Sequence, residues 1–315
     1  MPAQRISFLS LVGVASLAGL VLASCSTQAG GDGDEASTTV VATTTQIGSL
    51  VDQITECAGG EAQVLMSPGD DPHTFEASST QIADMITADL VVTNGLGLEA
   101  SMQRSVDNAK EDGAQIFEVG PQLDPLPAGE GHDHADDEHE HGSYDAHVWM
   151  DVSRMADGAK LIGERVAETT GDEAYQQCGE QLADQLDEVD NEIVGIIDEL
   201  DVPHLVTDHA AYGYFADRYA VEISGVVVPG GSTDAEPSSH QLAELTDLLK
   251  DDDVDALVTS KANPNRMVTA LSEETGGDIP VIELYENGTG ESGSDAETYQ
   301  DAMLYNAHAL DEALN

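Results

Sequence analysis

The chain has 315 residues, and its 61 Asp and Glu against 10 Lys and Arg give a formal net charge of −51. Such a charge repels phosphate, so it excludes a basic nucleic-acid-binding face and argues against electrostatic docking to anionic lipid. Hydrophobic residues make up 40% of the chain and aromatic residues only 4%, so we expect a core of Ala, Val, Leu and Ile. At roughly 150 residues per domain, the length predicts two domains or one large domain.

Residues 1–24 are predicted to be a secretory signal peptide. Arg5 precedes an apolar run that is shorter than the ~20 residues of a membrane-spanning helix. The run ends in the letters LASC, which resemble a bacterial lipobox and predict lipidation of Cys25; an ordinary signal peptide is the alternative. Residues 25–38 are rich in Gly, Ser and Asp and predict a flexible tether. We therefore expect an exported lipoprotein at the outer face of the cell membrane.

Two further cysteines, Cys57 and Cys178, belong to the exported part of the chain. An exported protein meets an oxidising environment, which favours a disulfide between them. Their spacing is not diagnostic, so two separately buried thiols remain the alternative.

From residue 39 to residue 172, strands alternate with helices, which predicts an α/β lobe with a mostly parallel sheet. The predicted strands are residues 40–43, 63–66, 90–93 and 115–117, and the predicted helices are residues 47–57, 79–88 and 152–171. Residues 121–145 interrupt this rhythm with prolines, glycines, acids and histidines. We interpret them as a solvated loop.

Residues 173–202 are predicted to form a long helix that links two lobes. Apolar residues recur there in steps of three and four, and about 25 residues at ~1.5 Å each span nearly 40 Å. Residues 203–315 repeat the alternation, with strands 204–207, 221–223, 256–259 and 281–284 and helices 212–219, 236–250, 265–275 and 296–314. The predicted fold is α/β, with two lobes, each a mostly parallel sheet flanked by helices, joined by one long helix.

Four histidines stand close together within the loop segment 130–142: His132, His134, His139 and His141. Imidazole suits zinc, copper and nickel, so the segment predicts transient, auxiliary metal capture. A solvated polar loop of an acidic protein is the alternative. We do not expect tight binding there, because an unordered loop loses entropy when it closes around an ion.

Three other histidines lie where predicted elements meet. His73 lies in DPHTFE after the second strand, His147 in DAHVWMD where the loop ends, and His209 in TDHAAYGYF at the end of a strand. Ligands of open α/β sheets bind at the carboxyl ends of strands, so the three together predict a site between the lobes. Their separations of 74 and 62 residues exclude a zinc finger or an H-E-x-x-H helix.

Three further segments of the chain read ADLVVTNGLGLE, EPSSHQLAELTDLLK and SEETG. In kind and order, all of these segments resemble those of the zinc-type solute-binding proteins of bacterial metal ABC transporters, the cluster A-I family. The resemblance covers nearly the whole mature chain. It implies two α/β lobes joined by one rather rigid helix, with the metal between them. It also implies extracytoplasmic capture of Zn²⁺ and delivery to a membrane permease that works with an ATPase.

The resemblance assigns three metal ligands. The histidine of the family pattern D-P-H-x-[FY]-E falls on His73, and that of D-P-H-x-W-x-D falls on His147, with Ala146 in place of the usual Pro. The third ligand falls on His209. Manganese-type members tend to carry Glu at this third position, so His209 favours Zn²⁺ over Mn²⁺, as does the His-rich loop.

The fourth ligand departs from the family pattern L-Y-x-D-S. A strict match places Asn287 at the position of the Asp, and Asn is a poor zinc ligand. Glu286 is therefore the predicted fourth ligand, with Glu283 or water as alternatives. Aspartates beside the three histidines are expected either to fix the ring tautomers or to be surface acids: Asp71, Asp145 and Asp208.

Other functions compete with zinc capture. A manganese- or iron-specific binding protein is the first alternative. A zinc hydrolase would need an open coordination position and a general base, and no hydrolase motif is present. A surface adhesin is a further alternative, although the sequence shows no binding face for it. We expect a monomer that is not an enzyme.

Overall fold

The computed structural model describes residues 38–128, 144–228, 233, 235–251 and 254–315. The predicted signal peptide, Cys25, the tether up to residue 37 and all four histidines of segment 130–142 lie outside these residues. Among the described residues, no helix combines the length and the apolar character that a membrane span requires.

The first sheet has four parallel strands in the order β2-β1-β3-β4. The strands are β1 (Thr39–Ala42), β2 (Glu61–Val64), β3 (Leu90–Thr93) and β4 (Ile116–Glu118), and the helices between them are α1 (Thr45–Ala58), α2 (Ser79–Thr87) and α3 (Gln103–Glu111). The central strands β1 and β3 are almost wholly buried. This burial is typical of parallel strands that helices cover on both faces.

The second sheet repeats this order as β6-β5-β7-β8, again with all strands parallel. Its strands are β5 (His204–His209), β6 (Glu222–Val228), β7 (Ala256–Ser260) and β8 (Val281–Leu284). Its helices are α6 (Gly213–Tyr219), α7 (Ser239–Asp251), α8 (Arg266–Glu274) and α9 (Tyr299–Leu314). The predicted fold class is confirmed.

Two long helices, α4 (Val152–Thr170) and α5 (Ala174–Ile197), lie between the sheets in sequence. The 24 residues of α5 span about 36 Å. Where α4 and α5 cross, a Cβ atom on Gly163 would lie 3.0 Å from the Cα of Gly179, so both positions need glycine for this close approach. One apolar core continues from β1 and α1 through both long helices to β5 and α9, so α5 is packed along its length.

Several boundaries differ from the predictions because side-chain caps decide where helices begin. Helix α7 begins at Ser239 rather than at residue 236, after Ser238 and Gln241 exchange side-chain and backbone hydrogen bonds. Helix α9 begins at Tyr299 rather than at residue 296, after a capping box of Thr298 and Asp301. Helix α3 was not predicted, and β6 continues to Val228, five residues beyond its predicted end.

A disulfide joins Cys57, near the end of α1, to Cys178 in α5, with 6.0 Å between the two Cα atoms. Cys57 is exposed, whereas Cys178 is buried in the core. The bond therefore ties the first helix of the first lobe to the long helix.

Candidate metal centre

Three imidazole rings converge where strands of both sheets end. His73 lies in the connection after β2, His147 precedes a short 3₁₀ turn, and His209 is the last residue of β5. The ring centroids are 5.3, 5.4 and 5.8 Å apart, and one nitrogen of each ring lies within 4.8 Å of the others. All three side chains are buried. The structure thus brings together the three histidines that the sequence separates.

An aspartate beside each histidine fixes the local backbone. In each case the carboxylate accepts a hydrogen bond from the backbone N–H of the histidine. The distances are 2.9 Å from His73 to Asp71, 3.0 Å from His147 to Asp145 and 2.8 Å from His209 to Asp208. The contacts of His73 and His147 span two residues, as in an Asx turn, whereas Asp208 and His209 are adjacent residues of β5.

Two of these aspartates also contact the rings. Asp145 Oδ1 lies 2.7 Å from Nδ1 of His147, and Asp208 Oδ1 lies 3.2 Å from Nδ1 of His209. Since a carboxylate accepts, Nδ1 of each ring carries the proton and Nε2 is left for a metal. Nε2 of His209 is buried and has no hydrogen-bond partner among the described residues. Asp71 instead accepts a hydrogen bond from the hydroxyl of Thr233.

Glu286 is fully buried beside this group. Its Oε1 lies 3.4 Å from Nδ1 of His209, and its Oε2 accepts a hydrogen bond of 3.0 Å from the hydroxyl of Tyr212. Its backbone carbonyl accepts a 2.8 Å bond from the indole N–H of Trp149, so the first lobe contacts the second here. In the structure, Glu286 therefore lies at the Nδ1 edge of His209.

The two alternatives to Glu286 lie in different surroundings. Asn287 is buried, donates a long hydrogen bond of 3.4 Å to Oε1 of Glu286, and has an Oδ1 atom without a partner among the described residues. Glu283 is exposed and lies 3.6 Å from the ammonium of Lys261. Glu283 is thus part of a surface ion pair.

Burial and neighbouring charges shift the pKa values of these side chains in different directions. Burial, with the nearby His147 and His209, lowers the pKa of His73 to about 2, so this ring is neutral at physiological pH. Burial also disfavours the charged form of His209, but Glu286 and Asp208 outweigh it and raise the pKa to about 10. Burial raises the pKa of Glu286 to about 7 against the opposing effect of His209.

Zinc binding is therefore expected to release about one proton per ion at pH 8. His209 is protonated in the metal-free protein, and a metal must replace that proton, so raising the pH strengthens binding. Below pH 7, Glu286 also holds a proton and the dependence becomes steeper. Calorimetry in buffers of different ionisation enthalpy measures the proton count. The variant His209→Ala should lose this release, and an absence of release from the unaltered protein would contradict the expectation.

The donor set suits a borderline-soft cation. Three convergent imidazoles with an adjacent carboxylate match the nitrogen and oxygen ligands that Zn²⁺ takes in tetrahedral sites. Nε2 of His209 has no partner among the residues that the structure describes, so this atom is available to a ligand.

Comparisons with known proteins identify the family of the chain. The family model described as "Zinc-uptake complex component A periplasmic" matches residues 40–313. The manganese-binding lipoprotein MntA of Bacillus subtilis is 27% identical over 318 residues, which cover 96% of this chain and 98% of that protein. The zinc-binding lipoprotein AdcA of Streptococcus pneumoniae is 28% identical, over 94% of this chain and 59% of that protein.

The zinc-binding protein TroA of Treponema pallidum is 28% identical over 91% of this chain and 93% of that protein. Its solved structure has a TM-score of 0.76 to this chain at 26% identity, and the match covers 88% of this chain and 99% of that structure. Since the family model spans most of the sequence, the chain belongs to the family of periplasmic zinc-uptake component A proteins, and the resemblance of its motifs to metal-binding solute-binding proteins of ABC transporters is confirmed.

Proposed function

We propose that the chain captures Zn²⁺ outside the cytoplasm, in the cleft between its lobes, and delivers it to a membrane ABC permease and its ATPase. The convergence of His73, His147 and His209 carries this proposal. Each comes from a different segment, and the rings of His147 and His209 keep Nε2 for the metal because carboxylates hold Nδ1.

Glu286 is proposed as the fourth ligand. Asp145 and Asp208 each accept a hydrogen bond from the backbone N–H of the histidine beside them, which holds the two carboxylates in place. Oε1 of Glu286 lies 3.4 Å from Nδ1 of His209 and 3.4 Å from the side-chain amide of Asn287, and Asp208 belongs to the same group of side chains. Both contacts are long for hydrogen bonds, and because Glu286 lies on the Nδ1 side of His209, ligation requires its side chain to turn toward the three Nε2 atoms.

The choice of zinc over manganese rests on the donor set. Imidazole suits zinc, whereas carboxylate and water oxygens suit manganese. The relatives compared above are named for both metals, so their names do not decide between them. A third imidazole at His209 in place of an oxygen ligand therefore favours Zn²⁺.

Competition between Zn²⁺ and Mn²⁺ for the mature protein tests the proposed function. We expect one tight zinc site with at least ~100-fold preference over manganese. The matched variant His209→Glu should narrow this preference, because it replaces a nitrogen ligand with an oxygen ligand. Equal or tighter binding of manganese by the unaltered protein would support the manganese- or iron-specific alternative instead.

Export and anchoring complete the proposal. Residues 1–24 would direct secretion, Cys25 would carry the lipid, and a monomeric globular part would work at the outer face of the membrane. The relatives MntA and AdcA are both named as lipoproteins. The histidines His132, His134, His139 and His141 would supply weak, auxiliary capture. We propose no enzymatic activity, and the relatives named above are binding proteins.

A further inference from the structure

Two asparagines with no exposed surface bind the residue immediately before a proposed ligand. The side-chain amide of Asn94 donates to the carbonyl of Ala146, which precedes His147, at 2.9 Å. The side chain of Asn306 accepts from the N–H of Tyr285 and donates to its carbonyl, both at 2.7 Å. Tyr285 precedes Glu286, so each amide binds the backbone one residue before a proposed ligand.

Asn94 is itself held firmly at the end of β3. Its backbone N–H donates to Oε1 of Glu99 at 2.8 Å, and that of Gly95 donates to Oε2 at 3.1 Å. The hydroxyl of Thr43 adds a third bond to the same carboxylate at 2.7 Å. Glu99 is buried and accepts all three bonds, so the connection after β3 is held in place where Asn94 reaches Ala146.

Asn306 reaches Tyr285 from the middle of α9. Because both bonds go to the same residue, they fix the direction of the chain as it leaves β8. The next carbonyl, that of Glu286, accepts from the indole of Trp149. The backbone around Glu286 is thus held by a helix of its own lobe and by a side chain of the other lobe.

We propose that Asn94 and Asn306 are positioning residues that set the backbone of His147 and Glu286 for the metal from outside the cleft. This inference rests on the proposed function. A buried amide is costly unless it is hydrogen-bonded, and a ligand loses affinity when its supporting contacts are removed. Neither asparagine lies among the proposed ligands, so their effect on the metal passes through the backbone.

The test compares Asn306→Leu and Asn94→Leu, which keep the volume and remove the hydrogen bonds, with the unaltered protein. Chelator competition measures zinc affinity, and the absorption spectrum of bound Co²⁺ reports ligand geometry. We expect each variant to bind zinc about tenfold more weakly and to shift the cobalt spectrum. Asn306→Asp keeps the acceptor for the N–H of Tyr285, so it should recover part of the affinity and guards against misfolding of the leucine variant.

The matched controls remove apolar contacts at other buried positions of the two lobes. Leu310→Ala lies one turn further along α9, and Met85→Ala lies in α2, and both side chains have no exposed surface. Both should lower the melting temperature and leave zinc affinity and the cobalt spectrum unchanged. The inference is wrong if the asparagine variants bind within twofold of the unaltered protein, or if the controls lose as much affinity. Failure of the proposed function is distinct, because the unaltered protein would then not bind zinc.

Discussion

Replacing any one of His73, His147 and His209 with Ala is expected to weaken zinc binding by about 100- to 1,000-fold. A four-ligand zinc site binds with roughly 10–16 kcal/mol, so each ligand contributes about 2.5–4 kcal/mol. Every 1.4 kcal/mol corresponds to about a tenfold change in affinity. One nitrogen of each ring lies within 4.8 Å of the others, and no fourth histidine joins this group among the described residues, so none of the described imidazoles replaces the lost ligand.

Two controls test whether zinc binds to the three histidines of the cleft or to other histidines. His240→Ala removes an imidazole whose side chain is 82% exposed, so zinc affinity should not change. Deletion of residues 130–142 should remove weaker extra sites and leave one tight site. Stoichiometry and affinity by chelator competition distinguish these results. Loss of all tight binding on deletion would place the site in the loop and contradict the three-histidine cleft.

The sequence predicts the fold well because both lobes follow one rule. Short apolar segments alternate with helices, and parallel strands bring their carboxyl ends to one edge. His73 lies in the connection after β2, His209 is the last residue of β5, and both lie at the edge where the rule places them. The convergence of three segments was therefore predictable, although the distances between the rings were not.

The contacts that position the ligands leave no pattern in the sequence. Asn94 bonds to Ala146 across 52 residues, and Asn306 bonds to Tyr285 across 21. A side-chain amide can bind the backbone carbonyl of any residue, so the type of the partner residue gives no signal in the sequence. The position of Glu286 on the Nδ1 side of His209 is likewise a result of packing around Trp149 and Tyr212.

The elements that were missed have weak signals for physical reasons. In α3 only Val106 and Ala109 are buried, which is too little to reveal an apolar face. In β6 a glycine, Gly225, interrupts the apolar run, and the pairing with β5 shifts register between Leu205 and Val206. Local periodicity detects strands poorly where such irregularities occur.

Removing the disulfide is expected to lower the free energy of unfolding by about 2–5 kcal/mol. The bond closes a loop with a sequence separation of 121 residues, so it restricts the unfolded chain strongly. Cys57→Ser with Cys178→Ala is the suitable variant, because Cys57 is exposed whereas Cys178 is buried and a serine there would leave an unpaired hydroxyl. Urea unfolding with and without reductant measures the difference.

The same variant distinguishes stability from binding. Cys57 lies near the last residue of α1, whereas Thr45 at the first residue accepts a 3.0 Å bond from the N–H of Thr289 close to Glu286. The length of α1, about 20 Å, separates the disulfide from the metal centre. Zinc affinity of the folded variant should therefore stay within about twofold of the unaltered protein. Reductant should shift the unfolding midpoint of the unaltered protein only. Equal midpoints for the two proteins under oxidising conditions would show that the bridge does not stabilise the fold, because both chains would then gain the same free energy on folding.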